Sequence, residues 1–263
     1  MQLSDCRVLL TGASGGIGQH IARCLSSAGA KLLLVGRHPH NLAELAAECG
    51  AGSESLCADI SDSKGRTLVL NAARRFGGVN VMINAAGIND FSLFDEQDEA
   101  TIAGLIHLNV TSTLLLTQQL LPVLQAQPRA MLINLGSTFG TIGYPGYAAY
   151  CASKFAVRGF TEALRRDLAG SSVHVMYVAP RATRTSMNDD AVMAMNKALK
   201  VGMDEPQLVA SLLANAIQDE RRDLYIGWPE KLFVKVNALL PGIVDGAIIK
   251  QLPIIQRFAR KSR

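Results

Sequence analysis

The sequence predicts an α/β protein built on a doubly wound, seven-stranded parallel sheet with helices on both faces, and three observations carry the prediction. Short β-rich runs alternate with longer segments of helical periodicity along most of the chain. Several runs, such as Leu32-Leu33-Leu34-Val35 and Val81-Met82-Ile83, are continuously apolar, which suits strands buried on both faces beneath crossover helices. The first run feeds a glycine-rich turn that opens a helix and leads to a second run, the order of a βαβ unit.

Taken in order, strands are expected at Arg7 to Thr11 and Lys31 to Val35, with a helix over Ile17 to Ala28 between them. Further strands follow at Ser55 to Ala58, Val79 to Asn84, Ala130 to Leu135, Val173 to Val178 and Leu224 to Ile226, with helices near 62–76, 99–125, 147–169 and 204–219. Residues Ala182 to Met203 are irregular in pattern and lie between a strand and a helix, where open parallel sheets place ligands. They read as a mobile lid. Residues 1–227, lid 182–203 included, form one catalytic domain in this reading, and 228–263 form an apolar and basic helical extension of it.

Composition narrows the function. A chain of 263 residues, 49% hydrophobic and 18% charged, has the makeup of one soluble core. The formal charge of +4 is mild and scattered, which argues against nucleic acid as a partner. Cys6, Cys24, Cys49, Cys57 and Cys151 are odd in number, far apart and form no Cys-x-x-Cys pair, so neither a disulfide framework nor a metal site is expected. Met1-Gln2-Leu3-Ser4-Asp5 leads straight into a strand and has no features of an export signal, so the expected location is cytoplasmic.

The turn Thr11-Gly12-Ala13-Ser14-Gly15-Gly16-Ile17-Gly18 predicts a dinucleotide site. Glycines let the backbone approach a diphosphate, whose charge is attracted by the N–H groups and positive dipole end of the helix that follows. The second strand ends at Val35-Gly36-Arg37-His38, where a fold that prefers NAD carries an Asp or Glu for the ribose 2′-hydroxyl. Arg37 would pair with a 2′-phosphate instead, so the expected cofactor is NADP(H).

Tyr150 and Lys154 stand four apart, one helical turn on one face. Free tyrosine has a pKa of about 10, and a neighbouring ammonium lowers it towards the range where acid–base chemistry runs at neutral pH.

With these motifs in order, the chain from about Arg7 to Gly227 resembles the short-chain dehydrogenase/reductase family, which has a Rossmann-type fold. Thr11 to Gly18 matches the family's TGxxxGxG turn. Asp59, followed by Ile60, matches the acid at the adenine amine, and Asn84-Ala85-Ala86-Gly87 matches NAAG after the fourth strand. Asn109, Ser137, Tyr150 and Lys154 fit the catalytic tetrad. The resemblance implies that Lys154 grips the nicotinamide ribose and depresses the Tyr150 pKa. Tyr150 would protonate a carbonyl oxygen, Ser137 would orient it, and Asn109 would hold a water leading to Lys154, although Asn109 could also simply satisfy backbone at a helix kink. After the sixth strand the family usually has Pro-Gly, whereas this chain has Pro180-Arg181. Arg181 could touch an anionic part of a substrate, or be a solvated turn residue. Thr183 matches the position that meets the carboxamide, and Thr185 the hydroxyl near the diphosphate.

Met187, Met193, Met195 and Met203 are candidates for a deformable apolar pocket, or for ordinary helix core. The tail is apolar and ends in Arg257, Arg260, Lys261 and Arg263, a pattern for peripheral contact with an anionic membrane, for packing over the pocket, or for packing on another subunit. The expected activity is reduction of a ketone or aldehyde, or oxidation of the alcohol, on a sizeable apolar, acyl or lipid-like substrate. Steroid-like or sugar-like alcohols are the alternative substrates, and a non-catalytic NADP(H) sensor is the alternative class. The expected assembly is a homodimer or homotetramer.

Overall fold

The continuous apolar runs become the centre of one sheet. The computed structural model describes residues 1–260; Lys261 and Arg263 of the basic tail lie outside the described residues. Strands β1 (Arg7–Thr11), β2 (Lys31–Gly36), β3 (Ser53–Cys57), β4 (Val81–Asn84), β5 (Ala130–Leu135), β6 (Val173–Ala179) and β7 (Asp223–Tyr225) pair in parallel in the order β3-β2-β1-β4-β5-β6-β7. The chain winds outward from β1 to β3 and then returns to β4 on the other side. At such a reversal the loops leaving the strand ends diverge and open a crevice. Register aligns Thr11 with Asn84 and Asn84 with Asn134, so the C-terminal ends of β1, β4 and β5 meet at that crevice.

The helices are α1 (Gly18–Ser27), α2 (Pro39–Cys49), α3 (Ser63–Arg75), α4 (Glu99–Ile106), α5 (Thr113–Gln125), α6 (Ala148–Asp167), α7 (Asp190–Ala198), α8 (Pro206–Gln218), α9 (Glu230–Leu239), α10 (Pro241–Ile249) and α11 (Leu252–Ala259). Alternation along the strands divides the core. Val8, Leu10, Leu32, Leu34, Ile83 and Ile133 face α1, α2 and α8, while Leu9, Leu33, Met82, Leu132 and Val175 face α3 and α5.

The structure departs from the sequence expectation in three places. Helix α2 is additional: Pro39 starts it, and Leu42 and Leu45 bury its inner face. The helix over 99–125 contains a π-helical turn at His107–Ser112, which carries Asn109. This stretch is long and apolar enough to cross a bilayer by composition, but Leu105, Leu116, Leu120 and Leu124 are buried in the fold. The lid, read as irregular, contains α7, capped by the Asp189 side chain accepting from the Val192 N–H at 2.8 Å. The tail is helical as expected, forming α9 to α11, with Ile255 and Ala259 buried in α11.

Candidate active site

The crevice is a continuous cleft of about 870 Å³ running from Arg37 to α10. The glycine-rich turn forms its floor. Gly12 has φ +64°, and a Cβ there would lie 2.8 Å from the Ala86 backbone, so the turn after β1 and the Ala85-Ala86-Gly87 turn after β4 pack too closely for any other residue. Thr11 Oγ1 joins the same turns by accepting from the N–H groups of Ala85 and Ala86 at 3.1 and 3.2 Å. A Cβ on Gly16 would lie 2.4 Å from the Thr185 side chain, so the lid meets the turn directly. Ser14, Gly15, Gly16, Ile17 and Gly18 line the cleft where α1 points its positive end.

Arg37 is exposed on the edge of the cleft, and Ile60 and Asp59 line the wall beside it. The Ser61 N–H, donating to Asp59 Oδ1 at 2.8 Å, holds that carboxyl below its usual range, and the nearby Arg37 charge adds to the effect. His38 and Asn41 also border this end. Sequence reasoning missed them along with α2, although Pro39 and the Leu42/Leu45 spacing carried the signal. These groups fit NADP(H): a glycine cradle and helix end for a diphosphate, a carboxylate for an amine, and a guanidinium for a 2′-phosphate.

At the other end, β5 and α6 bring together Ser137, Tyr150 and Lys154. Lys154 Nζ donates to the Leu135 carbonyl at 3.0 Å and lies 5.7 Å from the Tyr150 ring centroid. Ser137 is hydrogen-bonded to the Tyr150 phenol. The expected depression of the Tyr150 pKa is not seen: burial pushes the phenol up to about 12, although the Ser137 bond acts the other way. Burial also pulls Lys154 down to about 8. Both shifts have one cause, the loss of water around a charged form.

Two sites differ from the sequence reading. Asn84 is not on the cleft wall. Its amide donates to Asn134 Oδ1 at 2.8 Å and Thr117 Oγ1 at 3.1 Å, and Asn134 donates to Thr161 Oγ1 at 2.9 Å, a buried polar chain tying α5, β4, β5 and α6 together. Asn109 is likewise buried. It accepts from the Ile88 N–H at 2.9 Å and donates to the Ile88 carbonyl at 2.9 Å and to Ser153 Oγ at 3.0 Å. Satisfying backbone at the π-helical turn is therefore its structural task, and it fixes the segment between Tyr150 and Lys154.

Tyr177 was not foreseen. Its buried hydroxyl donates to the Ser137 carbonyl at 3.1 Å and accepts from the Ser137 N–H at 3.4 Å, and a Cβ on Gly136 or Gly140 would strike it. It positions Ser137 from beneath. Arg181 is neither a solvated residue nor a ligand for an anion. It grips Asp204 through bonds of 2.7 and 3.0 Å, reaches Glu230 at 3.1 Å and donates to the Trp228 carbonyl at 3.0 Å, so it ties β6, the end of the lid and the start of the tail together. Its φ is not positive, which removes the need for glycine there. Pro180, Thr183 and Thr185 line the cleft. Of the four lid methionines, Met187 and Met195 line it, whereas Met193 and Met203 do not. Phe139, Ile142, Tyr144, Phe233, Val244 and Ile248 complete an apolar chamber beyond Tyr150.

A family model for short chain dehydrogenases matches residues 7–196. The 3-oxoacyl-[acyl-carrier-protein] reductase FabG of Vibrio cholerae is 32% identical over 222 residues, covering 81% of this chain and 90% of that protein. Among solved structures, a short-chain dehydrogenase from Sphingobium yanoikuyae in complex with NADPH superposes with a TM-score of 0.78 at 26% identity, over 92% of this chain and 95% of that one. A short chain dehydrogenase/reductase from Burkholderia phymatum in complex with NAD gives 0.82 at 24% identity, over 93% and 97%, and shares the fold. With the doubly wound sheet and the glycine-rich cleft that holds Tyr150 and Lys154, these matches establish that the chain belongs to the short-chain dehydrogenase/reductase family of oxidoreductases.

Proposed function

We propose that the protein is an NADPH-dependent reductase of a ketone or aldehyde carried on a sizeable apolar, acyl or lipid-like molecule. One observation carries the reading: Ser137 and Tyr150 stand in a single cleft between the glycine-rich turn with Arg37 and an apolar chamber. When bound, the reduced nicotinamide supplies hydride to the carbonyl carbon. The chain supplies the rest. Ser137 orients the carbonyl oxygen by a hydrogen bond, and the Tyr150 phenol gives its proton to that oxygen as negative charge develops there. The resulting phenolate is stabilised by the Lys154 ammonium beside it, and Lys154 also binds ribose hydroxyls. Arg37 selects the phosphorylated cofactor by charge-assisted bonding.

The reductase among the relatives acts on 3-oxoacyl groups, and an apolar chamber suits such a chain, which supports testing acyl substrates first. The experiment is a screen of carbonyl compounds, including long-chain 3-oxoacyl thioesters, by loss of NADPH absorbance. Turnover with an apolar carbonyl and NADPH is expected. Turnover confined to NADH or to small polar sugars would overturn the reading.

A further inference from the structure

Helices α9 and α10 are two-faced. On α9 the inward residues follow helical spacing: Glu230 meets Arg181, Phe233 lines the cleft, and Asn237 donates to the Thr141 carbonyl at 2.8 Å. On α10 the inward residues are Val244, Ala247 and Ile248. The opposite arcs carry Leu232 and Leu239 on α9, Leu240 at the joint, and Ile243 and Ile249 on α10. All are exposed: Leu239 by 80%, Ile243 by 62% and Ile249 by 63%. Exposed lysines Lys231, Lys235 and Lys250 border this apolar arc, and none forms an ion pair with a described residue. Residues 228–260 hold five cationic side chains against two acidic ones, Glu230 and Asp245, and Glu230 is engaged by Arg181.

Five exposed large apolar side chains on two helices packed together mark an interaction face. Two-fold pairing with a second copy would set lysines against lysines, which disfavours that occupant. An anionic leaflet matches both components, hydrocarbon for the Leu and Ile side chains and phosphate for the lysines. At ten residues, α9 is about 15 Å long, half the thickness of a hydrocarbon core, so it suits a position in the interface and not across the bilayer. The same surface is continuous with the cleft. Trp228, Met187 and Phe233 line the cleft and are also exposed, so its rim opens beside the apolar arc.

We propose that the outward face of α9 and α10 docks the protein on an anionic membrane surface and turns the rim of the cleft towards the lipid, so that a lipid-borne carbonyl enters from the bilayer. Docking stands on the exposed face alone, whereas entry of the substrate rests on the reductase reading above.

The test is sedimentation of the full chain with phosphatidylglycerol vesicles and with phosphatidylcholine vesicles, at low and high salt. Pelleting with phosphatidylglycerol at low salt and release at high salt are expected. The combined variant Lys231→Gln, Lys235→Gln, Lys250→Gln should partition on the order of 100-fold less, and Leu239→Asp with Ile243→Asp should abolish pelleting. Both variants should keep NADPH binding and turnover of a short soluble carbonyl. Failure of the intact chain to pellet with phosphatidylglycerol at low salt, or equal pelleting of the lysine variant, would overturn docking. So would a concentration-dependent dimer, dispersed by Leu239→Asp, in a chain that ignores vesicles. Because pelleting needs no turnover, it stands or falls separately from the reductase reading.

Discussion

Replacing Arg181 by Ala should lower stability and loosen the lid, and the structure sets the size of the effect. The side chains of Arg181 and Asp204 are 17% and 6% exposed, and the guanidinium grips the carboxylate with two hydrogen bonds. Asp204 cannot retreat to water, because its own backbone bonds to Ala182 and Arg184 at 2.9 Å each. The variant therefore strands a buried carboxylate, a loss of about 3 kcal/mol at the low end of the range for broken buried pairs. With an unfolding entropy of about 2.1 cal/mol/K per residue over the chain, that loss lowers the melting temperature by about 5 °C. Thermal unfolding followed by circular dichroism measures it. Arg181→Lys should recover only part of the loss, since an ammonium cannot bond both carboxylate oxygens as a planar fork does. A melting temperature of Arg181→Ala equal to that of the intact protein would refute the reasoning. It would show that the clamp contributes no more than an exposed ion pair.

Arg37→Asp should weaken NADPH binding by about 10- to 100-fold while sparing NADH, as read by titration of each cofactor, because a charge-assisted phosphate contact is exchanged for a repulsive one. Lys154→Met should abolish turnover yet raise stability at pH 7. Burial lowers the lysine from 10.5 to about 8, so charging it in the folded state costs about 3 kcal/mol. That cost is fully present below about pH 8 and disappears as pH rises through the unfolded value of 10.5, so denaturation of both proteins across this window should show the gap closing. Tyr177→Phe should lower kcat while leaving the Kd for NADPH unchanged, because it leaves the Ser137 backbone groups without their buried partner at a cost of about 1–3 kcal/mol.

Much of the fold was legible because its determinants are local. The central strands β1, β2, β4, β5 and β6 are largely apolar runs, and five of the helices repeat apolar residues at helical spacing, so each announces itself without knowledge of its neighbours. Helix α2 escaped because its apolar stripe is short, consisting mainly of Leu42 and Leu45, and its outer face is polar. The helix in the lid escaped because capping by Asp189 and contact with α11, not an uninterrupted pattern, stabilise α7. At the site, Gly12 to Gly18, Arg37, Tyr150 and Lys154 could be read from type and spacing. The tasks of Asn84, Tyr177 and Arg181 could not, and that of Asn109 was open between two alternatives. Each depends on partners far along the chain, and whether a polar side chain faces a cleft or a buried partner is decided by packing alone. The direction of the Tyr150 shift also required the structure, since the effect of the neighbouring lysine is visible in sequence and the opposing burial is not.

The central claim is that Tyr150 delivers the proton in a reduction driven by NADPH, and comparing Tyr150→Phe with the intact chain tests it most directly. Phe keeps the ring and removes only the hydroxyl bonded to Ser137. Single-turnover loss of NADPH absorbance with a 3-oxoacyl thioester, alongside NADPH titration by fluorescence, separates chemistry from binding. The variant should bind NADPH nearly as the intact protein does, and its reduction step should slow on the order of 100-fold or more, in line with the contribution of a positioned acid. An undiminished rate in the Phe variant would contradict it, and would move the proton donor to another group in the cleft.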